Sequence, residues 1–253
     1  MALFSLPSFI ANKKNKMVKN FKIKIFADGA DIKSIKKLDK LNFIKGFTTN
    51  PSLMKVAGVK NYKFFAQSVL KVIKKKPVSF EVFSDDIAEM EKQAKEISSW
   101  GKNAYVKIPI INTKGKKTLK LIKKLNTIGI KCNVTAILTI EQVQDVYNSI
   151  KKNNDVIISI FAGRIADTGR DPTLIIKKAL KICKSKKNIK ILWASTREAL
   201  NLYQAESIGA HIITVPYSIL SKIKLYKKNL KKLSLDTVKM FYNDAKKAGY
   251  KIN

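Results

Sequence analysis

The chain has 253 residues, 45% hydrophobic and 27% charged, which excludes a disordered chain and leaves enough apolar material for a full core. Its net charge of +33 comes from basic residues spread over the whole length, and all but Arg164, Arg170 and Arg197 are Lys. Nucleic-acid readers rely on the forked guanidinium, so this diffuse Lys excess reads as solvated surface, and a nucleic-acid partner is not expected.

Residues 1–20 open with an apolar stretch followed by a Lys/Asn stretch. A secretory signal has the opposite order, basic before apolar. The segment is read as an extension without assigned function, and Met17 offers an alternative start. No apolar run reaches the roughly 18 residues that a membrane span needs, so no membrane partner is expected.

From residue 21 onward, short apolar runs alternate with amphipathic stretches. The runs are 23–27, 44–48, 78–83, 104–108, 130–136, 156–161, 189–194 and 210–215. Their near-continuous apolar character suits parallel strands buried on both faces. Between them, residues 86–100 carry Ile87, Met90, Ala94 and Ile97 at helical spacing. Residues 117–125, 140–151, 172–183 and 195–205 show the same period. Gly101, Gly129 and Gly209 each stand just before a strand, where a helix C-cap belongs. There is no Gly-x-Gly-x-x-Gly after a strand and no Walker A motif. Eight β-then-α units in a chain of this length predict one α/β domain, a single (β/α)8 TIM barrel over residues 21–232. A C-terminal helix over 233–253 carries Val238, Phe241, Tyr242 and Ala245 at helical spacing, for packing on the barrel or on a neighbouring subunit.

Cys132 and Cys183 lack metal-ligand spacing and form no disulfide framework, which fits a reducing cytoplasm. A catalytic triad would need His211, the single histidine, whose setting Ala210-His211-Ile212-Ile213 reads as a packed structural position. No metal site is expected.

In a barrel of this kind, chemistry gathers at the C-terminal ends of the strands. The polar residues there are Asp28 on the first run and Thr48, Thr49 and Asn50 on the second. Glu81 follows on the third, Lys107 on the fourth, and Asn133 and Thr135 on the fifth. The sixth gives Ser159, then Arg164; the seventh gives Ser195 and Arg197; the eighth gives Thr214. Lys107 is the cation of an apolar stretch, Tyr105-Val106-Lys107-Ile108-Pro109. Desolvation among such neighbours favours the neutral amine, and a neutral amine attacks carbonyls. Glu81 alternates with Phe80 and Val82, which points it into the barrel, where it needs a partner. Arg164 and Arg197 fall just past the ends of adjacent strands six and seven, a placement that suits a phosphate.

These segments together resemble the transaldolase family, including its small fructose-6-phosphate aldolase-like members. The resemblance rests on Phe26-Ala27-Asp28, Gly46-Phe47-Thr48-Thr49-Asn50-Pro51-Ser52 and Val106-Lys107-Ile108-Pro109. It continues through Ser159-Ile160-Phe161-Ala162-Gly163-Arg164-Ile165 and Ala194-Ser195-Thr196-Arg197, in family order from about residue 26 to residue 216. Ile160 and Thr196 depart from the usual Pro and Phe. The resemblance implies that Lys107 is a Schiff-base nucleophile and Asp28 an acid/base, with Glu81 and Thr135 holding a water. It implies that Asn50 and Ser159 bind substrate hydroxyls, that Thr49 is among the substrate-binding residues, and that Arg164, Ser195 and Arg197 bind a phosphate. Phe161 stands where members dedicated to plain aldol cleavage tend to have Tyr, which favours transfer of a dihydroxyacetone unit between sugar phosphates. Fructose-6-phosphate aldolase activity is the alternative. The resemblance further implies a homo-oligomer that needs neither metal nor organic cofactor.

Overall fold

A computed structural model describes residues 21–151 and 154–252. The expected extension over residues 1–20, with Met17, lies outside the described residues. The elements in order are β1 (Lys24–Asp28), α1 (Ile32–Asp39), β2 (Ile44–Thr48), α2 (Pro51–Val56), α3 (Tyr62–Val72), β3 (Val78–Glu81) and α4 (Ile87–Ser99). Then come β4 (Ala104–Pro109), α5 (Leu119–Thr127), β5 (Cys132–Ile137), α6 (Ile140–Ser149), β6 (Val156–Ile160), α7 (Ala162–Ala166) and α8 (Pro172–Cys183). The chain finishes with β7 (Ile189–Trp193), α9 (Leu200–Ser207), β8 (Ile212–Pro216), α10 (Tyr217–Leu220) and α11 (Leu230–Ala248).

The eight strands close into a parallel barrel in sequence order, with β8 pairing back onto β1. Every residue of β6 is buried, as expected of a strand covered on both faces. The helices turn an apolar stripe inward. Met90, Ala94 and Ile97 are the buried residues of α4, three of the four positions that the sequence spacing picks out. Helix starts are fixed by side chains that satisfy otherwise orphaned backbone N–H groups. Asp31, Asn61, Asp86 and Asp171 cap α1, α3, α4 and α8. Thr139 and Gln142 form a reciprocal capping box on α6.

Three sequence expectations shift. The helix expected from residue 195 starts at Leu200. Ser195 has a left-handed φ of 60°, the Thr196 hydroxyl donates to the Thr214 carbonyl, and Asn201 accepts from the N–H groups of Arg197 and Glu198. Residues 195–199 are thus held as a loop that carries side chains over the barrel mouth. Gly129 and Gly209 take the left-handed conformation of a helix C-cap, whereas Gly101 does not. At Gly101 space is the constraint, because an added Cβ would sit 3.3 Å from Asn103 Oδ1. The last helix starts at Leu230, earlier than expected, because Asn229 caps it through the Lys232 N–H. Residues from Lys222 onward form a compact unit of their own, and α11 within it buries none of its side chains.

The barrel interior separates into an apolar plug and a polar mouth. Phe26, Tyr105, Ile157, Leu192 and Ile212 pack together as the plug. Phe26 stands opposite Gly46 on β2, and a Cβ on Gly46 would lie 2.6 Å from the Phe26 ring, so the glycine is what lets the ring fill the barrel. Two residues further along the strands, with the same inward parity, come Asp28, Thr48, Lys107, Ser159 and Thr214.

Candidate active site

The polar mouth is a cavity of about 390 Å³ at the C-terminal ends of the strands. Asp28, Asn50, Glu81, Lys107, Thr135, Ser159, Phe161, Arg164, Ser195 and Arg197 all line it. The structure therefore gathers around one space ten of the eleven residues singled out from the sequence.

Lys107 is 7% exposed and ends the inward row of β4. Its register partner on β3 is Glu81. The Nζ lies 3.0 Å from Glu81 Oε2 and donates to the Thr49 carbonyl at 2.9 Å. Along the chain this amine has apolar neighbours; in the fold it meets a carboxylate and a carbonyl. The reason is register. The residue facing Lys107 across the β3–β4 ladder is not apolar, although its own flanking residues are. Glu81 thereby gains the partner that its inward position demands.

Asp28 ends β1, and its Oδ1 accepts from the Thr48 hydroxyl at 2.8 Å. The Thr48 hydroxyl is also in a short contact with the Thr214 hydroxyl. A relay thus runs from β8 through β2 to Asp28 and fixes the carboxyl from behind. Burial pushes the Asp28 pKa above the ordinary carboxylate value, outweighing the opposing pull of Lys107 and the Thr48 hydrogen bond. A carboxyl in that condition holds a proton more readily than an exposed Asp, which suits a group that must take up a proton and later return it.

Thr135 on β5 is 2% exposed, and its hydroxyl is buried without a hydrogen-bond partner. Thr135 lines the cavity, so the hydroxyl remains for a ligand or a water there. Just after it, Ala136 takes a left-handed φ of 58°, and the β5–β6 register shifts between Val134 and Ile137. The shift is a bulge next to the site, a common way to re-aim a side chain.

Asn133, noted at its strand end, carries no role in the sequence reading. It is fully buried, donates to Ser79 Oγ at 3.0 Å and accepts from Ser159 Oγ at 2.6 Å, spanning β3, β5 and β6. The available signal was parity: Asn133 stands two residues before Thr135 on the same strand and so shares its inward face. The same rule picks out Thr48 and Thr214. Asn50 lines the cavity, but its Oδ1 accepts from the Leu53 N–H as the cap of α2, so its amide N–H groups are what remain for a ligand. Thr49 departs from expectation. It is absent from the cavity wall, its hydroxyl donates to the Ser79 carbonyl, and its backbone carbonyl is the part that meets Lys107.

At the rim, the Arg164 guanidinium stands 5.9 Å from the centre of the Phe161 ring, within cation–π range. Arg197 Nη2 pairs with Asp167 Oδ2 at 2.6 Å. Two forked cations on one side of a cavity, with a buried amine and carboxyls at its floor, suit an anionic carbonyl compound. Among the described residues no group of His, Cys, Asp and Glu is arranged to hold a metal ion, and no helix is long and apolar enough to cross a membrane. His211 lies away from this cavity, half-buried, and its Nδ1 accepts from the Ile191 N–H, a structural role.

A family description, Transaldolase/Fructose-6-phosphate aldolase, matches residues 25–252. A probable transaldolase of Dehalococcoides mccartyi is 35% identical over 202 residues, covering 79% of this chain and 90% of its own. A probable transaldolase of a Thermoanaerobacter species is 32% identical over 231 residues, covering 91% and 100%. One from Nitrosopumilus maritimus is 35% identical over 204 residues, covering 79% and 87%. Among solved structures, a 2,3-dimethylmalate lyase superposes with a TM-score of 0.53 at 11% identity, covering 87% of this chain and 86% of that one, a likeness of fold alone.

Proposed function

The chain belongs to the transaldolase/fructose-6-phosphate aldolase family, and from that premise we propose that it transfers a dihydroxyacetone unit between a ketose phosphate and an aldose phosphate through a Schiff base on Lys107. The observation that carries this reading is the buried Lys107–Glu81 pair on the floor of a cavity rimmed by Arg164 and Arg197.

Glu81 takes a proton from Lys107, and the free amine attacks the C2 carbonyl of fructose 6-phosphate or sedoheptulose 7-phosphate. Loss of water from the carbinolamine gives the iminium, with Glu81 returning the proton and the Thr135 hydroxyl holding the departing water. Asp28 removes the proton of the C4 hydroxyl. The C3–C4 bond breaks, its electron pair passes into the iminium as an enamine, and the aldose phosphate leaves. The enamine then attacks the aldehyde of a second aldose phosphate, Asp28 returns the proton to the new hydroxyl, and hydrolysis frees Lys107. Ser159 and the Asn50 amide hold substrate hydroxyls, while Arg164, Arg197 and Ser195 hold the phosphate. The amine serves as the electron sink, so this scheme calls for no metal or organic cofactor. The reaction belongs to the pentose phosphate pathway, and we place the protein in the cytoplasm as a homo-oligomer.

Release of free dihydroxyacetone, as a fructose-6-phosphate aldolase, is the second reading. Phe161 presents a ring without a hydroxyl to the cavity, so it offers no acid for protonating the enamine, which favours transfer. The test is incubation with fructose 6-phosphate with and without erythrose 4-phosphate. Sedoheptulose 7-phosphate that forms only with the acceptor, with little free dihydroxyacetone in its absence, is the expected result. Dihydroxyacetone accumulating at the same rate without acceptor selects the aldolase reading, and no turnover of either kind rejects both.

A further inference from the structure

We infer that Asp167, a residue outside the cavity wall, is a positioning residue that sets the Arg197 guanidinium for the substrate phosphate, using one face of α7 as a splint. This rests on the phosphate-site reading above.

Gly163 and Asp167 are four residues apart, so they share a face of α7 and its C-terminal cap. Arg197 lies along that face. A Cβ built on Gly163 would come 3.0 Å from Arg197 Cγ and 1.7 Å from the Ser195 carbonyl oxygen. The missing side chain is therefore what admits both the 195–199 loop and the arginine stem. At the other end of the stem, Asp167 Oδ2 accepts from Arg197 Nη2 at 2.6 Å. The backbone is fixed as well, since the Arg197 N–H donates to Asn201 Oδ1. The arginine is thus held at its N–H, along its stem and at one edge of its fork.

Both partners of the pair are about half exposed, so as a contribution to stability it counts for little. Its consequence is geometric. A guanidinium has five N–H donors in a rigid plane. Asp167 uses one edge and so fixes the plane, leaving the remaining donors for an anion. Arg197 lines the cavity and Asp167 does not, so the aspartate pairs with the fork from outside the cavity wall. Without Asp167 the long side chain regains rotamer freedom, and binding a phosphate must then order it again.

The test compares glyceraldehyde 3-phosphate with glyceraldehyde as acceptor, because only the first carries the phosphate. In a reaction of two half-steps, kcat/KM for the acceptor reports the second half alone. Asp167→Asn is expected to lower kcat/KM for glyceraldehyde 3-phosphate by about tenfold, mainly through KM, and to leave glyceraldehyde within about twofold. Asp167→Glu restores part of the loss. In an Arg197→Lys background, Asp167→Asn adds no further loss, since the fork it orients is gone. Equal losses with both acceptors, additive losses in the double variant, or an unchanged value for glyceraldehyde 3-phosphate overturns the positioning role. If Arg197→Lys itself spares the phosphorylated acceptor, the phosphate-site reading fails, and that result is distinct from a failure of Asp167 alone.

Discussion

Asp28 sits where its burial works against its charge. Its carboxyl has an ordinary value of 3.8 and is raised in the folded protein. Between those two values the native state keeps a proton that the unfolded state has released. The stability contributed by this group is therefore full below about 3.8 and is lost as pH rises through the raised value. Asp28→Asn removes that loss, so above the window the variant is expected to be more stable than the parent while kcat falls by about 10²–10⁴-fold. The stability gap between variant and parent should widen as pH rises through the window, measured by denaturant titration at several pH values. A gap that narrows with rising pH contradicts the burial argument. Thr135 makes a complementary case. Its hydroxyl has no protein partner to lose, so Thr135→Val should leave the melting temperature nearly unchanged while slowing imine formation by roughly tenfold or more. A large loss of stability would mean that the hydroxyl has a structural role. At this scale the sequence was legible in residue type and order, and poorly legible in partners. Lys107 was found from its apolar neighbours along the chain, yet what it touches is set across the ladder by Glu81 and Thr49. Thr49 shows the same limit: its carbonyl is the part that meets Lys107, which residue identity does not reveal.

Among the elements, the junction of β7, its following loop and α7 is tightly constrained. Ser195 holds a left-handed backbone without being a glycine, and Gly163 gives up its side chain to the Ser195 carbonyl. Gly163→Ala must displace backbone, and a cost of about 2 kcal/mol or more is expected, together with weaker binding of phosphorylated substrates. Thermal melts and KM for fructose 6-phosphate check both parts, and an unaltered melt would show that the junction yields. The strands were readable because parallel strands buried on both faces are nearly continuous apolar runs. Long helices such as α4 and α8 were readable from their period. The short α7 was not, because five residues complete too little of a helical period. The start of α9 was misplaced because a loop pinned by side-chain hydrogen bonds can carry helix-compatible residues. α11 exposes Leu235, Val238 and Phe241. If copies associate through it, replacing these three with Ser should reduce the mass measured by sedimentation equilibrium without loss of the barrel's circular dichroism. An unchanged mass places the contact elsewhere.

For the whole molecule, the dominant physical property is the net charge of +33. Like charges on a compact body repel, and salt screens them over about 8 Å at physiological ionic strength. Raising salt from about 10 mM to about 150 mM should therefore raise the melting temperature. Any affinity for nucleic acid should fall steeply over the same range and persist in Lys107→Ala, as expected of diffuse Lys with no reading surface. Affinity that survives high salt would reopen the nucleic-acid reading set aside on the scarcity of Arg. Beneath that charge lies a barrel whose mouth gathers one amine, two carboxyls, unpartnered and relayed hydroxyls and two guanidinium groups. The central claim concerns the amine. The most direct measurement is reduction by borohydride in the presence of fructose 6-phosphate, followed by peptide mass analysis. The expected result is a reduced three-carbon adduct on Lys107, absent from Lys107→Arg and slowed in Glu81→Gln. Folded protein that yields no adduct on Lys107, or yields it equally on surface lysines, contradicts the Schiff-base mechanism.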